Sequence, residues 1–555
     1  MRAAPVRARR RWLPASLAWS LFLALGAGLP ARAQDAYVLP PLPADPAGVA
    51  SPGGATGAAM PARVRIARIE VRGNTVLPAA AFDALAAPYL GRVSSVEELE
   101  TLRQAMTRLY TEQGYVNSGL LLPDEIVDGI VVMTAVEGRL ADVRLRGSER
   151  LDPRYISRRL GGADGEVLNV ELLRERFQLL LADPLFIRLN ARMMPGERAG
   201  EAVLDVDVER ARPWQLGLFA NNYRPVAIGA QALGVSAAVR NLSGQGDALD
   251  ASVQGSPEGG HGARVTLGWR MPLGQDGTGL YVALDGGSSS VIEEATRALD
   301  IRSRLASAEI GLEHRLWETL RSKLAASAGV LRRENRTWLL GQPYSFVPGE
   351  PEGHTRETVW RASIDYARRS ASDVLALRAT VNLGRNNLRQ IDGLPETRVP
   401  ERRFLVWQGQ AQYGHQVFDN GAQLVLRGAL QYSADSLLAL DALAIGGVGS
   451  VRGYRENQLV RDRGAYVNAQ FEYPLAGEAG GAPVWTLIPF IDYGRAQNVG
   501  ETGVTLSSVG LAGRWQWRGL NFDIAWAGRL RHPDALGGGA NLQDRGMHLQ
   551  LAYKF

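Results

Sequence analysis

The chain has 555 residues, with 62 Lys and Arg against 57 Asp and Glu, and no cysteine. That length exceeds one ordinary domain, and the lack of cysteine excludes a disulfide framework and a thiolate metal site. The formal charge of +5 comes from the first 34 residues, which hold six arginines and no acid; removing them takes the net charge from +5 to −1, which offers nothing to attract nucleic acid.

The N-terminus has the layout of an export signal. Arg2, Arg7, Arg9, Arg10 and Arg11 form a positive n-region, Leu17 to Leu29 an apolar h-region, and Ala31-Arg32-Ala33 a small-x-small cleavage site. The apolar run is shorter than the roughly 20 residues a spanning helix needs, so residues 1–33 read as a cleaved signal peptide. Residues 34–62 are rich in Pro, Ala and Gly (Pro40, Pro41, Pro43, Pro46, Pro52, Pro61) and read as a linker, because such a segment buries too little apolar surface to offset the entropy of ordering. No later stretch approaches about 18 uninterrupted apolar residues, which excludes helical spans but not a β-barrel.

From Val64 the pattern changes. Ile66, Arg68 and Glu70 alternate with Ala67, Ile69 and Val71, as in a strand, and Gly73-Asn74 marks its turn. Pro78 opens a helix with Phe82, Leu85 and Ala86 on one face, which stops near Ala87 because Pro88 disfavours a helical neighbour. Ser95 followed by Glu98 is a capping box for a second helix with the stripe Leu99, Leu102, Met106 and Leu109, ended by Gly114. Strands are expected over Val116–Leu122 and Ile130–Val136. The same order then repeats: a strand over Leu140–Leu145 followed by Gly147, a helix from near Pro153, and another over about Asn169–Leu181 with Leu172, Leu173, Phe177 and Leu180 inside. Strands over Phe186–Met193 and Ala202–Val208 complete the unit. Gly73 and Gly147 lie about 74 residues apart, so residues 63–138 and 139–212 read as a duplicated βααββ module, each with a sheet edge open to another strand.

These modules resemble POTRA domains, the periplasmic units of outer-membrane assembly and secretion pores. Gly114-Tyr115-Val116-Asn117-Ser118, with Pro123, Ile126 and Gly129, is similar to the first POTRA domain of two-partner secretion transporters. The resemblance assigns Gly114, Tyr115, Ser118 and Pro123 to substrate recognition. Read alone, each residue is better explained structurally, Gly114 as a helix C-cap and Tyr115 as a core aromatic.

After Pro213 helical periodicity vanishes. Short alternating segments separated by Gly, Asn, Asp and Pro run from Trp214 to Phe555. Val467, Ala469, Phe471 and Tyr473 alternate with Tyr466, Asn468, Gln470 and Glu472; Leu549, Leu551, Tyr553 and Phe555 alternate with Gln550, Ala552 and Lys554. A soluble sandwich shows a similar alternation, but the export signal, the unbroken length and the aromatics at strand ends point to a transmembrane β-barrel over residues 213–555. About sixteen antiparallel strands are expected, centred near residues 217, 236, 250, 267, 282, 312, 328, 364, 379, 408, 428, 469, 489, 512, 523 and 552. The C-terminal aromatic Phe555 resembles the signal by which outer-membrane barrels are recognised for insertion.

No catalytic residues stand out, and no cofactor is expected. The six histidines (His261, His314, His354, His415, His532, His548) lack metal-ligand spacing and read as solvated or lumenal polar residues. Gly244-Gln245-Gly246 and Gly537-Gly538-Gly539 are turns, with no P-loop Lys-Ser/Thr after them. The acidic residues suggest no matched acid and base, so the chain does not read as an enzyme.

One stretch does carry a chemical proposition. Val451-Arg452-Gly453-Tyr454 follows the Gly-rich run Ile445-Gly446-Gly447-Val448-Gly449-Ser450, between two alternating segments. Phe490, Asp492 and Gly494 share one strand face downstream, and an acid pointing into a barrel needs a partner. An inward loop over about 441–463 would let Arg452 supply it; the alternative is an extracellular loop with a solvated arginine. The loop sequence resembles the signature of the inward-folded loop of the BamA-like superfamily, and Phe490-Ile491-Asp492-Tyr493-Gly494 resembles the wall motif that receives it. Arg452, Gly453, Tyr454 and Asp492 are thereby assigned to the loop tether, and Phe490, Asp492 and Gly494 to the wall. Two POTRA-like units and sixteen strands are similar to two-partner secretion transporters, which export haemagglutinin- and haemolysin-like exoproteins.

The resemblance implies an outer-membrane pore that binds an unfolded secreted exoprotein through periplasmic POTRA domains and passes it to the cell surface without ATP. Its partners would be that client, outer-membrane lipid and, during biogenesis, the barrel assembly machinery. Family members commonly carry an N-terminal plug helix; residues 34–62 hold too many prolines for a convincing one. A barrel-assembly factor, a passive porin and an outer-membrane enzyme are the competing readings.

Overall fold

The computed structural model describes residues 63–161, 165–258, 262–274, 277–389, 391, 399–476, 484–531 and 541–555. The expected signal peptide and linker, His261, His532 and Gly537 to Gly539 lie outside the described residues. The described residues fall into two compact units, meeting in sequence at Ala211 and Arg212.

The N-terminal unit contains the βααββ order twice. In the first half Arg68–Arg72 runs parallel to Ile130–Val136, which pairs antiparallel with Gly119–Leu121. Helices α1 (Ala79–Ala86) and α2 (Val96–Glu112) bury Phe82, Leu99, Leu102, Met106 and Tyr110 against Val131 and Met133. The box at the start of α2 is formed: Glu98 N–H donates to Ser95 Oγ at 3.3 Å, and Ser95 N–H to Glu98 Oε2 at 2.9 Å. In the second half Arg139–Arg146 runs parallel to Glu201–Arg210, which pairs antiparallel with Phe186–Pro195. Helices α3 (Pro153–Gly161) and α4 (Val170–Leu181) pack Ile156, Leu160, Leu173, Phe177 and Leu180 onto Val206. Gly73 and Gly147 occupy equivalent places at φ +83° and +77°; a Cβ would stand 2.8 Å from Ala135 O in one and 2.3 Å from Val208 O in the other.

Three expectations need correction here. The strand anticipated over Val116–Leu122 is only Gly119–Leu121, because Ser118 N–H turns back onto Tyr115 O at 3.1 Å. Leu172 is exposed, and Val170 takes its place on the buried stripe of α4, whose phase is set one step away. On α2 the fully buried member of the last turn is Tyr110 rather than Leu109. The Tyr110 hydroxyl donates to Asn74 Oδ1 at 2.8 Å, and burial, with the Glu137 carboxylate nearby, pushes this phenol well above its ordinary range.

The second unit is a closed antiparallel barrel of sixteen long strands. They are β1 Trp214–Asn221, β2 Ala232–Arg240, β3 Ala248–Gly255, β4 Ala263–Pro272, β5 Thr278–Ser290, β6 Arg302–Glu318, β7 Ser322–Leu339 and β8 His354–Arg369, followed by β9 Asp373–Asn386, β10 Arg403–Gln416, β11 Gln423–Tyr432, β12 Arg463–Ala476, β13 Val484–Gln497, β14 Val504–Trp517, β15 Leu520–Arg529 and β16 Met547–Lys554. Each pairs with the next, and β16 returns to β1 from Gln550↔Asn221 to Lys554↔Gly217. That seam is short, but the side chain of Asn222 extends it: its Oδ1 accepts Leu549 N–H at 2.8 Å and its Nδ2 donates to Met547 O at 2.9 Å.

The alternation points outward. Ile310, Trp360, Ile364, Leu430, Ile491 and Trp526 are each at least half exposed, whereas Asn382, Gln431, Asn468, Gln470 and Glu472 are buried inside. A sandwich would reverse this, so the apolar surface is built to face lipid. Aromatic groups gather at the end with the short turns: Trp485, Trp515 and Trp517 adjoin one another, as do Tyr553 and Phe555, and Phe418, Phe471 and Tyr473. Such rings belong at a membrane–water interface, where an apolar body meets a wet edge.

Candidate functional site: the inward loop and its wall

The connection from β11 to β12 leaves the wall at Ser433 and folds into the bore. Its base is held on one side by Leu437, which packs with Leu331 of β7, Val359 of β8 and Phe404 and Val406 of β10. Arg333 of β7 donates to Leu440 O at 2.9 Å and forms ion pairs with Glu357 of β8 at 2.6 Å and Asp441 of the loop at 3.4 Å. Asp462 closes the base, accepting Leu437 N–H at 2.9 Å and Val499 N–H at 2.8 Å. From there a small hairpin, Leu443–Ile445 against Leu459–Arg461, carries the loop towards β12 to β16.

Local sequence makes the tip compact. Gly446 and Gly447 take positive φ, Gly446 N–H donates to Ser450 Oγ at 2.7 Å, and Val448 N–H donates to Glu456 Oε1 at 2.7 Å. Ile445, Val451, Tyr454 and Leu459 form a small apolar core with Ala496 and Leu506 of the wall. Contact this close needs Gly494, since a Cβ there would stand 2.9 Å from both Ile445 Cγ2 and Val451 Cγ2.

Arg452 meets Asp492 of β13 in a fork. Nη2 donates to Oδ1 at 2.7 Å, Nε to Oδ2 at 2.8 Å, and the backbone N–H of Arg452 adds a bond to Oδ2 at 3.0 Å. Nη1 donates to Gln470 Oε1 of β12 at 3.0 Å, and the guanidinium lies 3.5 Å from the centroid of Phe490. The arginine side chain is 9% exposed and the aspartate 0%, so this guanidinium is not in bulk water. Removing one member of such a pair strands the other charge, at a cost of about 3–5 kcal/mol. Planarity, the bidentate fork and the ring face all favour arginine over lysine here.

The rest of the motif completes the clasp. Gly453 has φ +89°, and a Cβ would stand 2.9 Å from the Ala527 Cβ. Its carbonyl accepts Arg529 Nε at 2.6 Å, and its N–H donates to His548 Nε2 at 3.2 Å. The Tyr454 hydroxyl accepts Ser507 N–H at 3.2 Å and lies 2.6 Å from Arg531 O. Next along the loop, Arg455 pairs with Asp544 at 2.6 Å and Glu293 at 3.1 Å, and Glu456 N–H donates to Gln543 Oε1 at 2.9 Å.

Phe490, Asp492 and Gly494 thus face the lumen together with Glu472 and receive Arg452, Gly453 and Tyr454. Gln470, Arg529, Gln543 and His548 also serve the tip, and sequence reasoning did not single them out. A signal for His548 existed: it has the same parity as Gln550, Ala552 and Lys554, the lumenal set of β16. The fully buried His548 is therefore lumenal and not solvated. Gln543 left no such trace, because it lies in an irregular turn.

The N-terminal candidates gather elsewhere. Gly114 O accepts Val170 N–H at 2.9 Å and so helps join the two halves of the N-terminal unit, whereas Ser118 Oγ accepts Gly138 N–H at 2.9 Å, a bond within the first half. Asn117 Nδ2 adds a bond to Gly200 O at 2.9 Å. Ser118 is buried; Tyr115 and Pro123 are half-buried.

Residues 200–514 match the family of haemolysin secretion/activation proteins ShlB/FhaC/HecB, and residues 64–138 match the ShlB-type POTRA domain. The chain belongs to this family. It is a two-partner secretion transporter of the outer membrane, with POTRA domains in the periplasm, that acts with a secreted exoprotein. Among curated relatives, the outer membrane transporter CdiB of Dickeya dadantii is 23% identical over 473 residues, covering 80% of this chain and 79% of that protein. The CdiB of Escherichia coli is 24% identical over 424 residues, covering 74% and 69%. Among solved structures, CdiB from Escherichia coli superimposes with a TM-score of 0.68 at 20% identity, covering 93% of each chain. CdiB from Acinetobacter baumannii gives 0.63 at 15% identity, covering 89% and 90%. These similarities concern the fold.

Proposed function

We propose that the N-terminal sheet edges capture the unfolded exoprotein by strand addition, and that the inward loop, pinned through Arg452 to Asp492, sets the conformational state of the pore it passes through. Main-chain hydrogen bonds to an added strand give affinity independent of most side chains, which suits an unfolded client. In the first module the open edges are Arg68–Arg72 and Gly119–Leu121, and in the second Arg139–Arg146 and Phe186–Pro195. Gly114, with Asn117, orients the two modules relative to each other, Ser118 fastens the end of the first module at Gly138, and Tyr115 and Pro123 are the members of that run a client can reach. Passage uses no ATP and no chemical step; folding outside the cell biases the direction. Outer-membrane lipid surrounds the apolar belt, and the barrel assembly machinery inserts the chain.

The observation that carries the loop's role is its double anchorage. The base is fixed to β7, β8 and β10 and the tip to β12 through β16, so the loop crosses the bore and stands in a client's path. The test is co-expression with a candidate exoprotein. Arg452→Ala and Asp492→Ala are each expected to abolish its appearance outside the cell while the barrel remains inserted, scored by heat-modifiable gel mobility. Normal export by both variants at normal surface levels would overturn the tether.

A further inference from the structure

We propose that His548, on the closing strand β16, is a positioning residue that clasps the loop tip only as a neutral imidazole, so that a second proton on its ring frees the tip from the closing strand. The proposal rests on the loop reading above and adds a residue and a trigger to it.

The geometry fixes the tautomer. His548 Nε2 lies 3.2 Å from the backbone nitrogen of Gly453 and accepts its N–H, so the single proton of the neutral ring sits on Nδ1. An imidazolium has two N–H donors and no acceptor, which leaves two donors facing each other across that contact. Gly453 cannot turn its N–H elsewhere at small cost: its carbonyl is held by Arg529 and its neighbour's guanidinium by Asp492. The ring itself is fully buried and cannot swing into water.

The surroundings decide what a second proton does. From the loop, His548 faces the Arg452 guanidinium and the Glu456 carboxylate, whose Oε1 lies 3.9 Å from Nδ1. From β13 it faces Asp492, already neutralised by Arg452, and from β15 it faces Arg529. The ring of Tyr223, just beyond β1, lies 6.4 Å away. Burial pushes the Glu456 carboxyl up to about 7, so on acidification it becomes neutral and offers an imidazolium no counter-charge; its Oε1 accepts Val448 N–H at 2.7 Å. Protonation therefore acts on the tip through Gly453, whose bond is lost outright, and leaves a buried imidazolium facing the Arg452 and Arg529 guanidinium groups without a counter-charge of its own.

The chain's lack of cysteine allows a single reporter. Gly449 is suited to it, because a Cβ there meets nothing within 4 Å. A nitroxide on Gly449→Cys in the full-length, membrane-reconstituted chain reports the mobile fraction of the tip from about pH 8 to about pH 4, spanning the range in which histidines titrate. With His548 present, the ratio of mobile to held tip is expected to rise about tenfold on acidification, the scale of one lost buried hydrogen bond. His548→Gln retains an acceptor without a titrating ring and should stay held at every pH. His548→Leu removes the acceptor and should be mobile at every pH. Heat-modifiable mobility checks that each variant is folded; should the leucine variant fail to insert, the glutamine variant alone decides. An unchanged acid response in His548→Gln, or a tip held at low pH with His548 present, overturns the clasp. Export of the co-expressed exoprotein is scored in parallel. A tip that responds as expected while export by His548→Leu and His548→Gln is normal supports the clasp and removes the loop from control of the pore.

Discussion

At Arg452 three kinds of interaction converge on one group: a carboxylate fork, an amide oxygen and a ring face. Each alone is modest, and the cost of disruption comes from burial, since Asp492 is 0% exposed and, among the described residues, Arg452 is the cation paired with it. Gly453 matters for a different reason. Its φ of +89° and its approach to Ala527 both forbid a side chain, so Gly453→Ala should break the clasp with every charged group still present. Export is expected to fall at least tenfold, with insertion and gel mobility unchanged; equal export by Gly453→Ala and the unsubstituted chain would show that the backbone there is free to adjust. An inward acid demands a partner, which made Arg452 and Asp492 a candidate pair in the sequence; the resemblance of the two motifs to the inward loop and its wall decided against a solvated arginine. Parity made His548 legible as lumenal, but its contact with the tip and that of Gln543 were not, because a neutral acceptor makes no such demand and its donor, a backbone N–H, leaves no mark in a sequence.

Among the elements, α2 shows local rules prevailing. Its box, its acidic first turn (Glu97, Glu98) and its apolar stripe all specify the same helix. Ser95→Ala should therefore lower the stability of the isolated residues 63–211 by about 1 kcal/mol, read as a shift in urea midpoint without a change in slope. The strand expected over Val116–Leu122 shows the opposite. Apolar alternation there favours extension, but Asn117 is spent on Gly200 of the second half and Ser118 on Gly138 at the end of the first, and the chain turns to deliver them. The inward loop is an element of the same kind: its apolar residues Leu437, Ile445 and Val451 would suit a strand, and they become a plug only because opposite walls offer them two separate apolar patches.

At the scale of the whole molecule, the division of labour between capture and passage predicts separable losses. Deleting residues 64–137 should leave a barrel that conducts ions in a planar bilayer yet exports no client. Export that survives the deletion would place recognition outside the first module. The barrel needs nothing from those residues for closure, since β16 pairs directly with β1 and Asn222 and Gln543 continue the seam above the paired residues.

The sequence by itself determined the sixteen strands, because a lipid-facing strand must alternate and must end in turn residues, and each anticipated centre falls within one of the observed strands. It also determined the duplicated module, through two helices whose apolar faces repeat at the right period. Only the tertiary structure decided which polar residues of the bore meet the loop. Parity places Gln470, Asp492 and His548 inside the barrel, but their convergence on one loop depends on the stagger of strands 12, 13 and 16 around a closed cylinder, and stagger is a property of closure that no single strand encodes.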